Sequence, residues 1–367
     1  MPKRRPAKKR SPAAAVLLAV LCLLLLAVSR YLDSRSEPAA SVSAPEAAQA
    51  DAPKLEVHFL DIGQGDSALL FCGDETLLID GGKVKNNQKL IARLKELEVD
   101  HLDAVICSHP DEDHCGGLSA VLASTRTDAF YCSVDSWHTK VFSDVTKYVE
   151  QQGISVTVPQ AGDSFAFGEA SVEFLGPVED YGDDPNEGSL VARVRYGETS
   201  FLFTGDMGFE AEDDMLAAGV DVSATVLKVA HHGSAGSSSA EFLQAVHPQY
   251  AVISVGADND YGHPTEAALN RLAACGIPVY RTDLLGEIIA VSDGKTVTII
   301  SASNEAPPAS DAASQTTGSY GYVGNSSSKV VHLASCGKLP GESNRVYFAS
   351  LDEALAAGYR KHAACLG

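Results

Sequence analysis

Basic residues are scarce in this sequence, and the few present are unevenly placed. The 367 residues hold 28 Lys and Arg against 48 Asp and Glu, a formal net charge of −20. Lys3, Arg4, Arg5, Lys8, Lys9, Arg10 and Arg30 all precede position 31, so the rest carries 21 basic against 48 acidic residues, a net −27. Such acidity keeps an exported domain soluble and excludes non-specific attraction to polyanions. Any polyanionic substrate must be held locally, through metals.

Long apolar runs are missing too, save one. Ala13 to Val28 is uncharged and follows the basic cluster. With its flanks it approaches the roughly 20 residues that cross a bilayer, and the basic cluster should stay in the cytoplasm. The expectation is a basic cytoplasmic tail over 1–11, a transmembrane anchor over 12–32, and everything later outside the cell. The protein would be a single-pass protein of the cell membrane. Ala48-Gln49-Ala50 has the form of a signal-peptide cleavage site, but it lies too far from the apolar run, which favours an uncleaved anchor. Eight cysteines in an exported chain would suit disulfides. Cys22, however, sits in the apolar run, and the pairing of Cys72, Cys107, Cys115, Cys132 and Cys275 is not fixed by spacing.

Residues 33–53 are rich in Ala, Ser, Pro and Glu and read as a flexible linker, as does 302–328 with its Pro, Ser, Thr and Gly. Between them 54–301 suffice for one large domain, and 329–367 form a separate unit. In the large domain, Leu55–Leu60, Ser67–Phe71 and Thr76–Asp80 read as an antiparallel meander. Leu90, Ile91, Leu94 and Leu97 recur at helical spacing, and Leu102–Cys107 is a buried strand. Ser189–Tyr196 and Ser200–Thr204 form a hairpin about Gly197-Glu198. Helices near 209–218, 239–246 and 265–274 then alternate with strands at 223–230, 249–255 and 278–281. The order predicts an α/β fold of two mixed sheets face to face with helices outside, a four-layer αββα sandwich.

Chemistry gathers at the ends of its apolar strands. His109-Pro-Asp-Glu-Asp-His114 places four potential metal ligands, His109, Asp111, Asp113 and His114, in six residues. Asp80 closes Leu-Leu-Ile-Asp, Asp206 ends Phe-Leu-Phe-Thr-Gly-Asp, and His231 and His232 end Val-Leu-Lys-Val-Ala. A shared metal cleft explains a carboxylate or imidazole at every one of these ends. Weaker candidates surround it. His232, Ser234 and His263 could contact phosphate or protonate a leaving group, or serve only as loop residues. Asp66 could reach the cleft or cap a strand, and Lys228 could bind phosphate or be a surface charge.

Asp61-Ile-Gly-Gln-Gly-Asp-Ser67, Ser108-His-Pro-Asp-Glu-Asp-His-Cys-Gly-Gly117, Asn186-Glu-Gly-Ser-Leu-Val191, Thr204-Gly-Asp206, Lys228-Val-Ala-His-His-Gly-Ser234 and Tyr261-Gly-His-Pro264 occur in this order. Over residues 55 to 300 the chain resembles the metallo-β-lactamase fold, and within it the hydrolase domain of the ComEC-type competence proteins. No part of the ComEC channel is present. The fold's usual His-x-His-x-Asp-His is altered, with Asp111 at the second His, and a later His is absent near Asn186-Glu-Gly. Carboxylate in place of imidazole shifts preference from Zn²⁺ toward harder ions such as Mn²⁺.

The resemblance implies two divalent metal ions, Zn or Mn. It assigns His109 and Asp111 to one ion, Asp113 and His114 to the other, Asp206 as a bridge and His231 as the final ligand. Asp113, Asp206, His232 and His263 then carry catalysis, while Asp66, Asp80, Lys228 and Ser234 support ligands or meet substrate. Two such cations about 3.5–4 Å apart can activate a bridging water and clamp a phosphodiester.

The tail holds a second constellation, His332-x3-Cys336 and His362-x2-Cys365. Two His and two Cys suit one closed, structural zinc site, a usual remedy for a unit too small to fold on its own core. A Cys336–Cys365 disulfide is the alternative. The tail resembles the small zinc module of the Ada DNA-repair protein, with His332 and His362 at two of its four cysteine positions. That exchange keeps metal binding but removes a thiolate able to accept an alkyl group.

Together the two resemblances imply a membrane-anchored, extracellular, metal-dependent phosphodiesterase, a DNase working outside a Gram-positive-type cell. Expected partners are DNA or another phosphodiester, the membrane through the N-terminal helix, and other competence proteins. The alternatives are a hydrolase of cell-wall phosphoesters such as teichoic-acid phosphorylcholine, and a non-catalytic surface protein that captures DNA.

Overall fold

The computed structural model describes residues 54–301, apart from Asp258, and 322–366, apart from 334, 335, 337, 342, 343, 349 and 350. The expected cytoplasmic tail, anchor and first linker lie outside the described residues. Among the described residues no helix is long and apolar enough to cross a membrane.

Two large sheets are stacked. In chain order the first fifteen strands are β1 (Leu55–Phe59), β2 (Ala68–Cys72), β3 (Glu75–Ile79), β4 (His101–Cys107), β5 (Arg126–Cys132), β6 (Val156–Thr157), β7 (Ser164–Phe167), β8 (Ala170–Gly176), β9 (Val191–Tyr196), β10 (Thr199–Phe203), β11 (Val226–Lys228), β12 (Tyr250–Ile253), β13 (Val279–Arg281), β14 (Ile288–Ser292) and β15 (Val297–Ser301). One sheet runs β15-β14-β1-β2-β3-β4-β5-β6 and the other β13-β12-β11-β10-β9-β8-β7. Helices α1 (Asn87–Glu96), α2 (Glu112–Cys115), α3 (Leu118–Ser124), α4 (Lys140–Gln151), α5 (Phe209–Ala217), α6 (Ala240–Val246) and α7 (Glu266–Ala274) complete the layers used below.

The layering follows from alternation along the strands. In β4, Ala104 and Ile106 join the cluster between the sheets, with Val57, Leu70, Val194 and Phe201 from their neighbours. Val105 and Cys107 point the other way, onto Leu94, Leu118, Val121 and Phe142 of α1, α3 and α4. On the far sheet, Leu202 and Leu227 meet Met215, Phe242 and Leu272 of α5, α6 and α7. Side chains two apart share a face, so each sheet is apolar on both faces and needs cover on both. The result is an αββα sandwich.

Parallel pairing gathers the strand ends. β3 pairs parallel with β4, and β10, β11 and β12 run parallel to one another. The carboxyl ends of such strands are where α/β folds place ligands. Among them are all four strands that end in candidate ligands.

The tail sheet corrects one boundary. Strands β16 (Tyr322–Asn325), β17 (Val330–Leu333), β18 (Arg345–Phe348) and β19 (Arg360–Lys361) form it in the order β18-β16-β17-β19. The unit thus begins by Tyr322, inside the stretch 302–328 expected to be linker. Glycines and polar residues disguised β16 as linker. A Cβ on Gly324 would crowd the Phe348 and Tyr359 rings, so only glycine lets these two rings close over the strand.

Candidate metal centre

Backbone bonds staple the loops of the cleft together before any side chain acts. Asp66 N donates to Asp113 O at 3.0 Å and Gly81 N to His114 O at 2.7 Å, while Gly117 N donates to Gly82 O at 2.8 Å. Gly65 has φ +130°, and a Cβ there would strike the Asp113 carbonyl. The Gly63-Gln-Gly65 turn is thereby pressed onto the ligand loop.

Each buried imidazole of the cleft is held by one nitrogen. His114 Nδ1 lies 2.8 Å from Asp80 Oδ2. Asp80 in turn accepts from Ser108 N at 2.7 Å and from Ser108 Oγ at 2.8 Å. Ser108 Oγ and Ser189 Oγ stand 3.1 and 3.3 Å from His109 Nδ1. His232 Nδ1 is 3.0 Å from the Ser254 carbonyl. This leaves the Nε2 atoms of His109, His114 and His232, with Asp206 Oδ1 and Asp66 Oδ1, buried without a well-aligned hydrogen bond. Their near neighbours are one another: His114 Nε2 lies 3.0 Å from Asp206 Oδ1 and His232 Nδ1 3.1 Å from Asp66 Oδ1.

Buried polar atoms without partners are rare and call for a ligand. These come from a donor set that divalent cations accept, and imidazoles fixed through the opposite nitrogen are the usual metal-binding arrangement. One donor atom each from Asp66, His114, Asp206 and His232 lies within 4.8 Å of the others, all four residues being buried. The residues fit metal binding.

Electrostatics agree. Burial, then the neighbouring His114, pushes His109 down to about 3, which keeps it a neutral donor. Burial works against charge on His114, yet the Asp206 and Asp80 carboxylates raise it well above the ordinary imidazole value. Burial likewise opposes charge on Asp206, but His114 and His232 hold its carboxyl well below the usual range. The carboxylates thus favour positive charge at this spot, and a metal ion bound there would displace the His114 proton.

The expected residues distribute themselves unevenly. His109 Nε2 stands 3.9 Å from Asp111 Oδ2, and the Asp111 side chain is 40% exposed at the mouth. His232 Nε2 is 3.7 Å from both Asp113 Oδ2 and Asp206 Oδ2. His231, expected as the final ligand, lies 3.6 Å from Asp206 Oδ2 but at the rim, with 32% of its side chain exposed. His232 joins the buried group, and His231 lies at the opening. Both residues have left-handed φ, 50° and 52°, and His232 Nδ1 is anchored on the Ser254 carbonyl at 3.0 Å.

Asp66 also lies deeper than a capping role would need. Lys228 is neither a surface charge nor open to phosphate: it is 3% exposed, with Nζ 2.6 Å from Asp66 Oδ2 and donating to Val229 O at 2.8 Å. Ser234 closes its own turn, its N–H donating to His231 O at 2.8 Å and its Oγ accepting from Gly236 N at 3.3 Å. His263 is half-buried over the mouth, its ring 5.6 Å from that of His231 at 82°. Burial, His232 and His231 bring its pKa down to about 4.

Some supports escaped the sequence reading. Ser108 and Ser189 hold His109, and Ser189 Oγ also accepts from Asp206 N at 3.1 Å. Glu187 accepts from Gly208 N at 3.0 Å and Ala211 N at 2.9 Å, capping α5. The signal was available, since Asn186-Glu-Gly-Ser-Leu-Val191 was visible as a motif without a task. Glu212, fully buried, accepts from the backbone N–H groups of Ser238 and Ser239. Arg271 Nε donates to Ser238 O at 2.7 Å, so the loop after the His pair is gripped from below.

In the tail, donor atoms of His332, Cys336, His362 and Cys365 likewise lie within 4.8 Å of one another. The two imidazoles stack at 4.0 Å, and Leu333 N donates to Cys365 Sγ at 3.4 Å. Among the described residues no two cysteines are joined by a disulfide.

Known proteins place this geometry. The chain is 34% identical over 285 residues to "Competence protein ComA" of Neisseria gonorrhoeae, covering 76% of this chain and 38% of that protein. It is 30% identical over 251 residues to "ComE operon protein 3" of Bacillus subtilis, covering 64% and 32%. To "Recombination protein 2" of Haemophilus influenzae it is 29% identical over 246 residues, covering 65% and 29%. It therefore spans about a third of the length of these relatives. The family model described as the metallo-beta-lactamase superfamily matches residues 60–257. With that match over more than half its length, the chain belongs to the metallo-beta-lactamase superfamily.

Proposed function

We propose that the protein is a metal-dependent phosphodiesterase that cleaves DNA outside the cell, held at the membrane by residues 12–32. The observation that carries this reading is the convergence of buried His109, His114, His232, Asp66 and Asp206 donor atoms at the strand ends of the two sheets. Similarity to competence proteins supports DNA as the substrate. Two cations, when bound, supply Lewis acidity toward phosphate oxygens and acidify a water. His109 and Asp111 would hold one, with Asp113, His114 and His232 at the other and Asp206 between them. The ions would be Zn²⁺ or Mn²⁺, each carboxylate that replaces an imidazole shifting the site toward the harder Mn²⁺.

The chain's own residues do the positioning. Asp80 and Ser108 fix the His114 ring, and Ser189 ties His109 to the Asp206 backbone. Lys228 balances Asp66 beneath the cleft, so its charge is spent on structure. His231 and His263 stand at the opening, where a phosphate or leaving group would pass. The tail, with zinc on His332, Cys336, His362 and Cys365, would help hold DNA.

The test is turnover by the full chain, loaded with Mn²⁺ or Zn²⁺, on DNA, RNA and phosphorylcholine esters. DNA cleavage that disappears in Asp206→Asn supports the reading. Hydrolysis of phosphorylcholine esters with DNA left intact overturns it, and DNA binding without turnover leaves only a capture protein.

A further inference from the structure

Beside the metal centre, the loop from Gly256 to Pro264 lifts Tyr261 into solvent with 58% of its surface exposed. It is the sole aromatic among the exposed large apolar side chains of the described residues. The Asn259 side chain braces the backbone around it. Asn259 Nδ2 donates to Gly256 O at 2.9 Å and His263 O at 2.7 Å, and Asn259 Oδ1 accepts from the N–H groups of Tyr261 at 3.2 Å and His263 at 2.9 Å.

A cation accompanies the ring. Lys83 Nζ donates to the Tyr261 hydroxyl at 3.1 Å and lies 4.9 Å from the ring centroid. It is also 3.8 Å from Asp113 Oδ2, which sets it at the edge of the metal cluster. From Tyr261 the rings step inward: His263 at 5.8 Å and 22°, then His231 at 5.6 Å. In so acidic a chain, a lysine and an exposed aromatic face at the mouth of a metal cleft form a specific combination. Aromatic faces stack on bases regardless of sequence, and cations beside them track the phosphate backbone. Bases in a duplex already have both faces covered, so the acceptor must be unpaired.

We propose that Tyr261 and Lys83 form the binding wall for single-stranded nucleic acid, Tyr261 stacking on an unpaired base while Lys83 contacts a backbone phosphate next to the metals. The inference rests on the phosphodiesterase reading and narrows its substrate to a single strand. Tyr261 is a binding residue, and its effect falls on KM.

The probes are an oligodeoxythymidylate, an oligouridylate, and an oligomer of the same backbone in which tetrahydrofuran replaces every base, assayed with the full chain and Mn²⁺. One stacked base should give wild type a KM for the thymidylate about 5- to 150-fold below that for the baseless oligomer. Tyr261→Ala should bring that ratio close to one, and Tyr261→Trp should restore it. Lys83→Gln should flatten the dependence of log KM on log salt by about 0.7, the share of one phosphate contact on a single strand. A ratio near one in wild type, or one that survives Tyr261→Ala, overturns the proposal. The uridylate separates RNA from DNA within the same chemistry. If wild type turns over none of these, the phosphodiesterase reading fails alone, and fluorescence anisotropy of the labelled oligomers decides this one: binding that favours bases and depends on Tyr261 sustains it, and base-independent binding overturns it.

Discussion

The sandwich and the tail both gather histidines with a second ligand type, yet they use them in opposite ways. In the sandwich the donors project from strand ends above three large apolar clusters, which would stand without them. Among the described residues of the tail the buried apolar side chains are Val323, Val331, Val346, Phe348, Ala354 and Tyr359, and the four donors close on one another. A metal in the first region would rest on a core that stands already, free to serve chemistry. A metal in the second would replace a core too small to hold itself. Residue types alone do not separate these uses; the amount of apolar surface beneath them does.

Substitution of one donor in each region should give the largest contrast. Asp206→Asn should abolish turnover, by more than the roughly 10- to 100-fold typical of losing a supporting residue, while circular dichroism still reports a folded sandwich. Cys336→Ser should remove about one equivalent of zinc from the purified chain and expose the tail to limited proteolysis. A tail that keeps its zinc and its protease resistance would erase the comparison.

Asp80→Ala tests support without ligation. Losing the partner of His114 Nδ1 should lower turnover or metal affinity by about 10- to 100-fold, read by titrating Mn²⁺ against activity. Gly324→Ala is the tail's equivalent, since the new methyl meets the Phe348 and Tyr359 rings. Overpacking of this kind costs about 1–3 kcal/mol, enough for hydrogen exchange to show the tail opening before the sandwich.

The smallest effect should be a pH slope. Burial pushes Glu212 up to about 7, against the pull of the Ser239 and Ser238 N–H groups. Between its ordinary value of 4.5 and about 7 the folded chain keeps a proton that the unfolded chain has released. The stabilisation is therefore complete below the lower value and is lost as pH rises through the upper one. Urea midpoints should fall across that window, with a shallower slope in Glu212→Gln.

Much of the fold was legible because strand alternation and helical spacing are local. The meander β1 to β3, the hairpin β9 to β10 and helices α5 to α7 all announced themselves in this way. β16 did not, since its glycine and polar residues take meaning only from the rings of Phe348 and Tyr359 that close on it. In the site, the strand-end ligands were visible, as was the motif containing Glu187 and Ser189. The task of each was not, because Glu187 caps a helix that begins some twenty residues later in the chain.

By itself the sequence determined the αββα class and the strand ends that carry donors. Each is a property of neighbours along the chain. Only the tertiary structure decided that His232 turns inward while His231 faces the opening, that Lys228 is consumed by Asp66, and that Lys83 meets Tyr261 at the mouth. These outcomes depend on left-handed turns and on pairs far apart in sequence, where packing and charge compensation override any local pattern.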